Sequence, residues 1–166
     1  QHPERLMPGD YPPRLGSREA ERLVLRIATE IARRFSLGEP ATDVAHLSQQ
    51  LHAAPDHVHR AVERLVVADV LIETEQGSAT QALVPKRDIR RIRVADIVAV
   101  VANGDATARI ALPVHAPGAA VDELLIRAES ARQHVIADTT LRDLVESTGQ
   151  FEEKAFDTGQ STALKT

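Results

Sequence analysis

Three aliphatic runs at helical spacing, followed by two strand-like runs around one turn, constrain this chain more than any other feature. In the first run, Leu23, Val24, Ile27, Ala28, Ile31 and Phe35 lay one apolar stripe along a helix, with Ser17 expected as its N-cap. Gly38 and Pro40 break that pattern, and Thr42 is expected to cap a short second helix in which Leu47 and Leu51 lie one turn apart. A turn over His52 to Ala54 leads to Pro55, favoured at the first helical position, and Val58, Ala61, Val62 and Leu65 define a third helix. Val70 to Thr74 reads as a strand, Glu75 to Ser78 as a turn, and Ala79 to Val84 as a second strand closed by Pro85.

Helix, short helix, tight turn, helix and hairpin is the order of a winged helix-turn-helix, so the predicted fold class is mainly α with a small β-hairpin. Beyond the hairpin, Ile89, Ile92 and Val94 lead into a short apolar helix over Ala95 to Ala102, expected to pack back on the module. The predicted organisation is an extended, proline-rich lead-in over 1–16, a winged-helix domain over 17–102, a linker over 103–118, a helical segment over 119–147 and a disordered tail over 148–166. Within 119–147, Val121, Leu124, Leu125, Ala128, Ala131 and Val135 share one face. An isolated helix cannot bury such a face in water, so it is expected to form a homodimer seam, or else to dock on its own domain.

Composition narrows the functions this fold can carry. Aromatic residues make up 2% of the chain, three Phe and one Tyr with no Trp, and only Phe35 falls inside the patterned region, where it is expected to close the first helix against the core. A surface that stacks single-stranded bases needs several rings, and this chain has no place for one. Cysteine is absent, which excludes disulfides, thiolate metal sites and cysteine-ligated clusters; no cofactor is expected. Ile97 to Ala102 is too short an apolar stretch to cross a bilayer, and the start at Gln1 suggests an excised or processed chain.

No catalytic arrangement is visible. Gly-x-Ser-x-Gly, a phosphate-binding glycine loop and His-Glu-x-x-His are all missing. The pairs Glu73 with Glu75 and Glu152 with Glu153 lie in a hairpin and a tail, where they read as solvated charge. His57 and His59, two apart on a helix, point to opposite sides and cannot chelate one ion, so no metal site is expected. The chain is read as non-enzymatic.

The formal net charge of −4 is unevenly spread. From Thr42 to Val84 the basic groups are Arg60 and Arg64, against Asp43, Asp56, Glu63, Asp69, Glu73 and Glu75. DNA affinity rests on neutralising phosphates, so this balance ranks nucleic acid below other partners. If DNA is bound, His57, Arg60 and Arg64 on the third helix and Gln76 and Ser78 on the wing are the candidate contacts. The run Lys86, Arg87, Arg90, Arg91 and Arg93, offset only by Asp88, is the strongest basic feature and suits an anionic membrane surface or an acidic protein partner.

Two stretches resemble one helix-start signature: Ile92-Arg93-Val94-Ala95-Asp96-Ile97-Val98 and Thr140-Leu141-Arg142-Asp143-Leu144-Val145. With the order of elements before them, they resemble the layout of IscR-like winged-helix regulators and that of the soluble C-terminal region of YihY/BrkB (ribonuclease BN-like) membrane proteins. The proline-rich lead-in and the connector Phe35 to Pro40 look more like the second family. That resemblance implies a non-catalytic interaction or regulatory domain on the cytoplasmic side of the inner membrane, tethered by a region upstream of Gln1. The alternative resemblance implies a DNA-binding transcriptional regulator, here without an iron–sulfur cluster because the cysteines are missing.

Overall fold

The computed structural model describes residues 15–76, 80–104 and 119–150. Helix α1 spans Ser17–Ser36, α2 Val44–Leu51 and α3 Pro55–Val67; β1 covers Leu71–Gln76 and β2 Thr80–Pro85; α4 runs over Val94–Gly104 and α5 over Ala119–Ala137, followed by α6 at 141–150. The two strands pair antiparallel, with Leu71 opposite Pro85 and Gln76 opposite Thr80, so β1 runs through Glu75 and Gln76, expected as turn, while β2 lies where the second strand is expected. This is the winged helix-turn-helix expected from the pattern, and the apolar spacing explains it. Leu23, Val24, Ile27, Ala28 and Ile31 of α1 are buried against Leu47 of α2, Val58, Val62 and Leu65 of α3, and Leu71 and Leu83 of the hairpin. As expected, α4 packs back on this core through Ile97, Val100 and Val101.

The core differs from expectation at its one aromatic. Phe35 is 57% exposed, because that end of the core is closed by the backbone: Thr42 bridges to Leu83, whose N–H donates to the Thr42 carbonyl at 2.8 Å. Thr42 is therefore committed to the hairpin, with its hydroxyl buried and unpaired, and the cap of α2 is Asp43, whose carboxylate accepts from the N–H of His46 at 2.8 Å. Gly16 rather than Ser17 stands at the N-cap of α1, with no side-chain cap bond.

The two similar helix-start signatures meet in space. Arg93 and Thr140 form an antiparallel bridge, the N–H of Val94 donates to the Thr139 carbonyl at 2.9 Å, and the N–H of Leu141 donates to the Ile92 carbonyl at 2.8 Å. Ile92 and Leu141 are both fully buried, so the starts of α4 and α6 are joined by backbone pairing over an apolar floor. Helix α6 extends to residue 150, past the expected end of the helical segment at 147 and into the segment expected as tail; the rest of that tail, most of the expected linker and nearly all of the lead-in lie outside the described residues.

Candidate nucleic-acid interface

The helix-turn-helix geometry is set by backbone chemistry at the α2–α3 turn. The N–H groups of His52 and Ala53 return to the carbonyls of Gln49 and Ser48 at 3.3 and 3.1 Å, with His52 in the left-handed region at φ 51°. Pro55 then opens α3, where its missing N–H costs no intrahelical bond, while His57 and Val58 donate to the Ala54 carbonyl. Helix α2 is held to α1 by a polar hub. Glu30 accepts from Gln50 at 2.9 Å and from Arg33 at 3.0 Å, and Arg33 also reaches Glu39. Burial pushes the Glu30 carboxyl up, but the hydrogen bonds from Arg33 and Gln50 outweigh it and hold the group below its usual range.

With Val58, Ala61, Val62 and Leu65 turned inward, α3 presents Asp56, His59, Arg60 and Glu63 to solvent, while His57 and Arg64 are half-buried. His59 faces Glu63 at 3.3 Å. Among the described residues Arg60 has no ion-pair or hydrogen-bond partner for its guanidinium, which leaves it the exposed cation of the reading face. Of the wing candidates, Gln76 ends β1 and Ser78 lies outside the described residues.

The acidity counted along the sequence is partly spent inside the fold. Asp43 is engaged by its cap, and the backbone N–H of His46, with the His46 ring, holds its carboxyl below the ordinary aspartate range. Asp69 is paired with Lys86, whose ammonium keeps that carboxyl low, and its carbonyl accepts from Arg87 at 3.1 Å. Thus Lys86 and Arg87 are tied to the end of α3, whereas Arg90, Arg91 and Arg93 make no ion pair among the described residues.

Sequence reasoning missed the arginines of α1. Arg18, Arg22 and Arg26 recur every four residues, are exposed and have no ion-pair partner among the described residues. Arg22 and Arg26, together with Glu19, line a depression of ≈ 330 Å³ whose other wall is His52, Ala53, Ala54 and His57, the α2–α3 turn and the first turn of α3. The four-residue spacing is visible in the sequence, but its neighbour is not. Of the expected dimer seam on α5, Val121 (58%), Leu124 (62%), Leu125 and Val135 are exposed, as are Ala128 and Ala131. Own-domain docking holds only the C-terminal part of the helix, through Arg132 to Glu21 at 3.0 Å and half-buried Ile136 and Ala137. Ile126, 68% exposed and off that seam, adds to the uncovered apolar surface.

Among the described residues no three His, Asp or Glu gather where they could hold a metal ion, and no helix is long and apolar enough to cross a membrane. No protein-family model matches the sequence, and no curated protein matches it significantly. Solved structures do. CymR of B. subtilis, described as its global cysteine regulator, is 25% identical, superimposes with a TM-score of 0.62, and is matched over 97% of its length by 81% of this chain. Staphylococcus aureus CymR is 18% identical with a TM-score of 0.62, covering 77% of this chain and 96% of its own. IscR of T. potens, 12% identical with a TM-score of 0.56, covers 81% of this chain and 88% of its own. The fold is the winged helix of CymR and IscR-like regulators, extending past the wing into the C-terminal helices. These similarities favour the IscR-like resemblance, and none of them supports YihY/BrkB.

Proposed function

We propose that this chain is a DNA-binding transcriptional regulator of the IscR-like layout, acting as a homodimer and without a cysteine-ligated cluster. The observation that carries the reading is Arg60, exposed on α3 and unpaired among the described residues, with Arg22 and Arg26 of α1 beside the α2–α3 turn that leads into the same helix. Helix α3 enters the major groove, where the Arg60 guanidinium hydrogen-bonds a guanine edge, and the α1 arginines meet the adjacent phosphates. The likeness to the regulator CymR over 97% of that protein's length and 81% of this chain supports it. The exposed face from Val121 to Val135 supports pairing of two copies, which sets two reading heads at a fixed separation on the duplex.

The test is a fluorescence-polarisation titration of the chain with random duplex DNA at low salt, followed by selection of preferred sequences. Salt-dependent binding that is lost for selected sites in Arg60→Ala, but retained in part for random duplex, is the expected result. Absence of binding at about 50 mM salt, where phosphate contacts are strongest, overturns the reading.

A further inference from the structure

We propose that Arg90, Arg91 and Arg93 form, with Asp138 and Thr140, a binding site for a small phosphate monoester that also carries a hydroxyl group. Together with Ala137 these residues line an open depression of ≈ 420 Å³, formed where the lead-in to α4 meets the end of α5. That volume lies within the roughly 300–1,000 Å³ range of small-molecule sites.

Among the described residues no ion pair commits these three guanidinium groups. Of the five basic residues after the hairpin, Lys86 and Arg87 are engaged by Asp69, one through its carboxylate and the other through its carbonyl. The one carboxylate within the run, Asp88, caps the local backbone, accepting from the Arg90 N–H at 2.9 Å, while its carbonyl accepts from the Arg91 N–H at 2.8 Å. Asp88 makes no ion pair with Arg90, Arg91 or Arg93 among the described residues. Asp138, exposed and without an ion pair among the described residues, is the one carboxylate among the residues that line the depression.

Three guanidinium groups and one carboxylate leave a charge of +2, which matches a phosphate monoester carrying about −1.5 to −2 near neutral pH. Planar guanidinium groups bind phosphate oxygens in pairs, whereas Asp138 repels the phosphate and accepts a hydrogen bond from a hydroxyl on the organic part. Backbone pairing joins the two walls of the depression. The Arg93–Thr140 bridge and the paired carbonyls of Ile92 and Thr139 fix both walls, and Thr140 is further held by hydrogen bonds to Asp143 at 2.7 Å. The site shares no residue with α3, so it stands independently of the DNA-binding reading.

Isothermal titration of the full chain with ribose 5-phosphate, inorganic phosphate and ribose tests it, with phosphatidate in phosphatidylcholine vesicles as a further arm. Saturable binding of ribose 5-phosphate is expected, none of ribose, and a loss of about 100-fold or more in R90Q/R91Q/R93Q, since each charge-assisted contact is worth about tenfold or more. K86Q/R87Q should bind as the parent does. Asp138→Asn should weaken ribose 5-phosphate several-fold without weakening inorganic phosphate, a pattern that general loss of folding would not produce. Vesicle binding lost in the same triple variant, with no binding of ribose 5-phosphate, would keep the phosphate chemistry and assign it to a lipid headgroup. No saturable binding in any arm, an unaffected triple variant, or a triple variant that loses only duplex DNA overturns the proposal.

Discussion

Neutralising two arginines on α1 should change how DNA affinity responds to salt. Arg22 and Arg26 are exposed, lie beside the α2–α3 turn and have no ion-pair partner among the described residues, so each is free to displace one condensed counterion from a phosphate. With two contacts removed, the slope of log K against log salt should fall by about 1.8. Between 50 and 200 mM salt the parent should then lose about 12-fold more affinity than Arg22→Gln/Arg26→Gln, worked from that slope over a fourfold change in salt. Polarisation titrations across this range with a fixed duplex measure the slope directly. Arg33→Gln is the control: its guanidinium is already held by Glu30 and Glu39, so the slope should not move even if stability falls. An unchanged slope in the α1 double variant, or an equal change in the control, would refute the placement of α1 against the DNA backbone.

Ile27 is fully buried at the centre of the core, and Ile27→Ala should cost about 3–4 kcal/mol in urea denaturation with the denaturant slope unchanged. Asp43→Ala removes the N-cap of α2 and should cost about 1 kcal/mol at neutral pH. Because the Asp43 carboxyl is held below its ordinary value in the folded chain, chiefly by the His46 N–H, its contribution is present above the usual aspartate pKa and fades as pH falls through the folded one. The stability gap between parent and variant should therefore close on acidification below about pH 4, as melting curves along a pH series would record. Leu124→Glu/Leu125→Glu places charge in the exposed α5 seam, and sedimentation should show dimer for the parent and monomer for the variant, with the circular dichroism of the helices retained.

Helix positions were legible because one apolar face repeats every three to four residues, and α1, α2 and α3 bury the aliphatic residues that this period selects. Their caps were less so. Thr42 and Asp43 are both good capping residues, and the choice was made by the long-range bridge of Thr42 to Leu83. Phe35 obeys the period of α1 yet stays exposed, because a local repeat does not tell where the partner surface ends. The two helix-start signatures were readable as a likeness, but their pairing through Arg93 and Thr140 joins segments more than forty residues apart.

Charge shows the same division most clearly. A sum over Thr42 to Val84 makes the reading head acidic, and as arithmetic it is correct. Folding pairs Asp69 with Lys86 from outside that window, turns Asp43 to a cap, and sets Arg22 and Arg26 from α1 beside the turn that carries α3. Likewise the basic run that looked like one strip is divided, two groups engaged by Asp69 and three left around a depression with Asp138. The sequence alone determined the elements, the aliphatic core and the absence of cysteine chemistry, since these follow from local period and composition. The tertiary structure decided which charges meet, because Coulomb interactions and hydrogen bonds act over a few ångströms in space and take no account of distance along the chain.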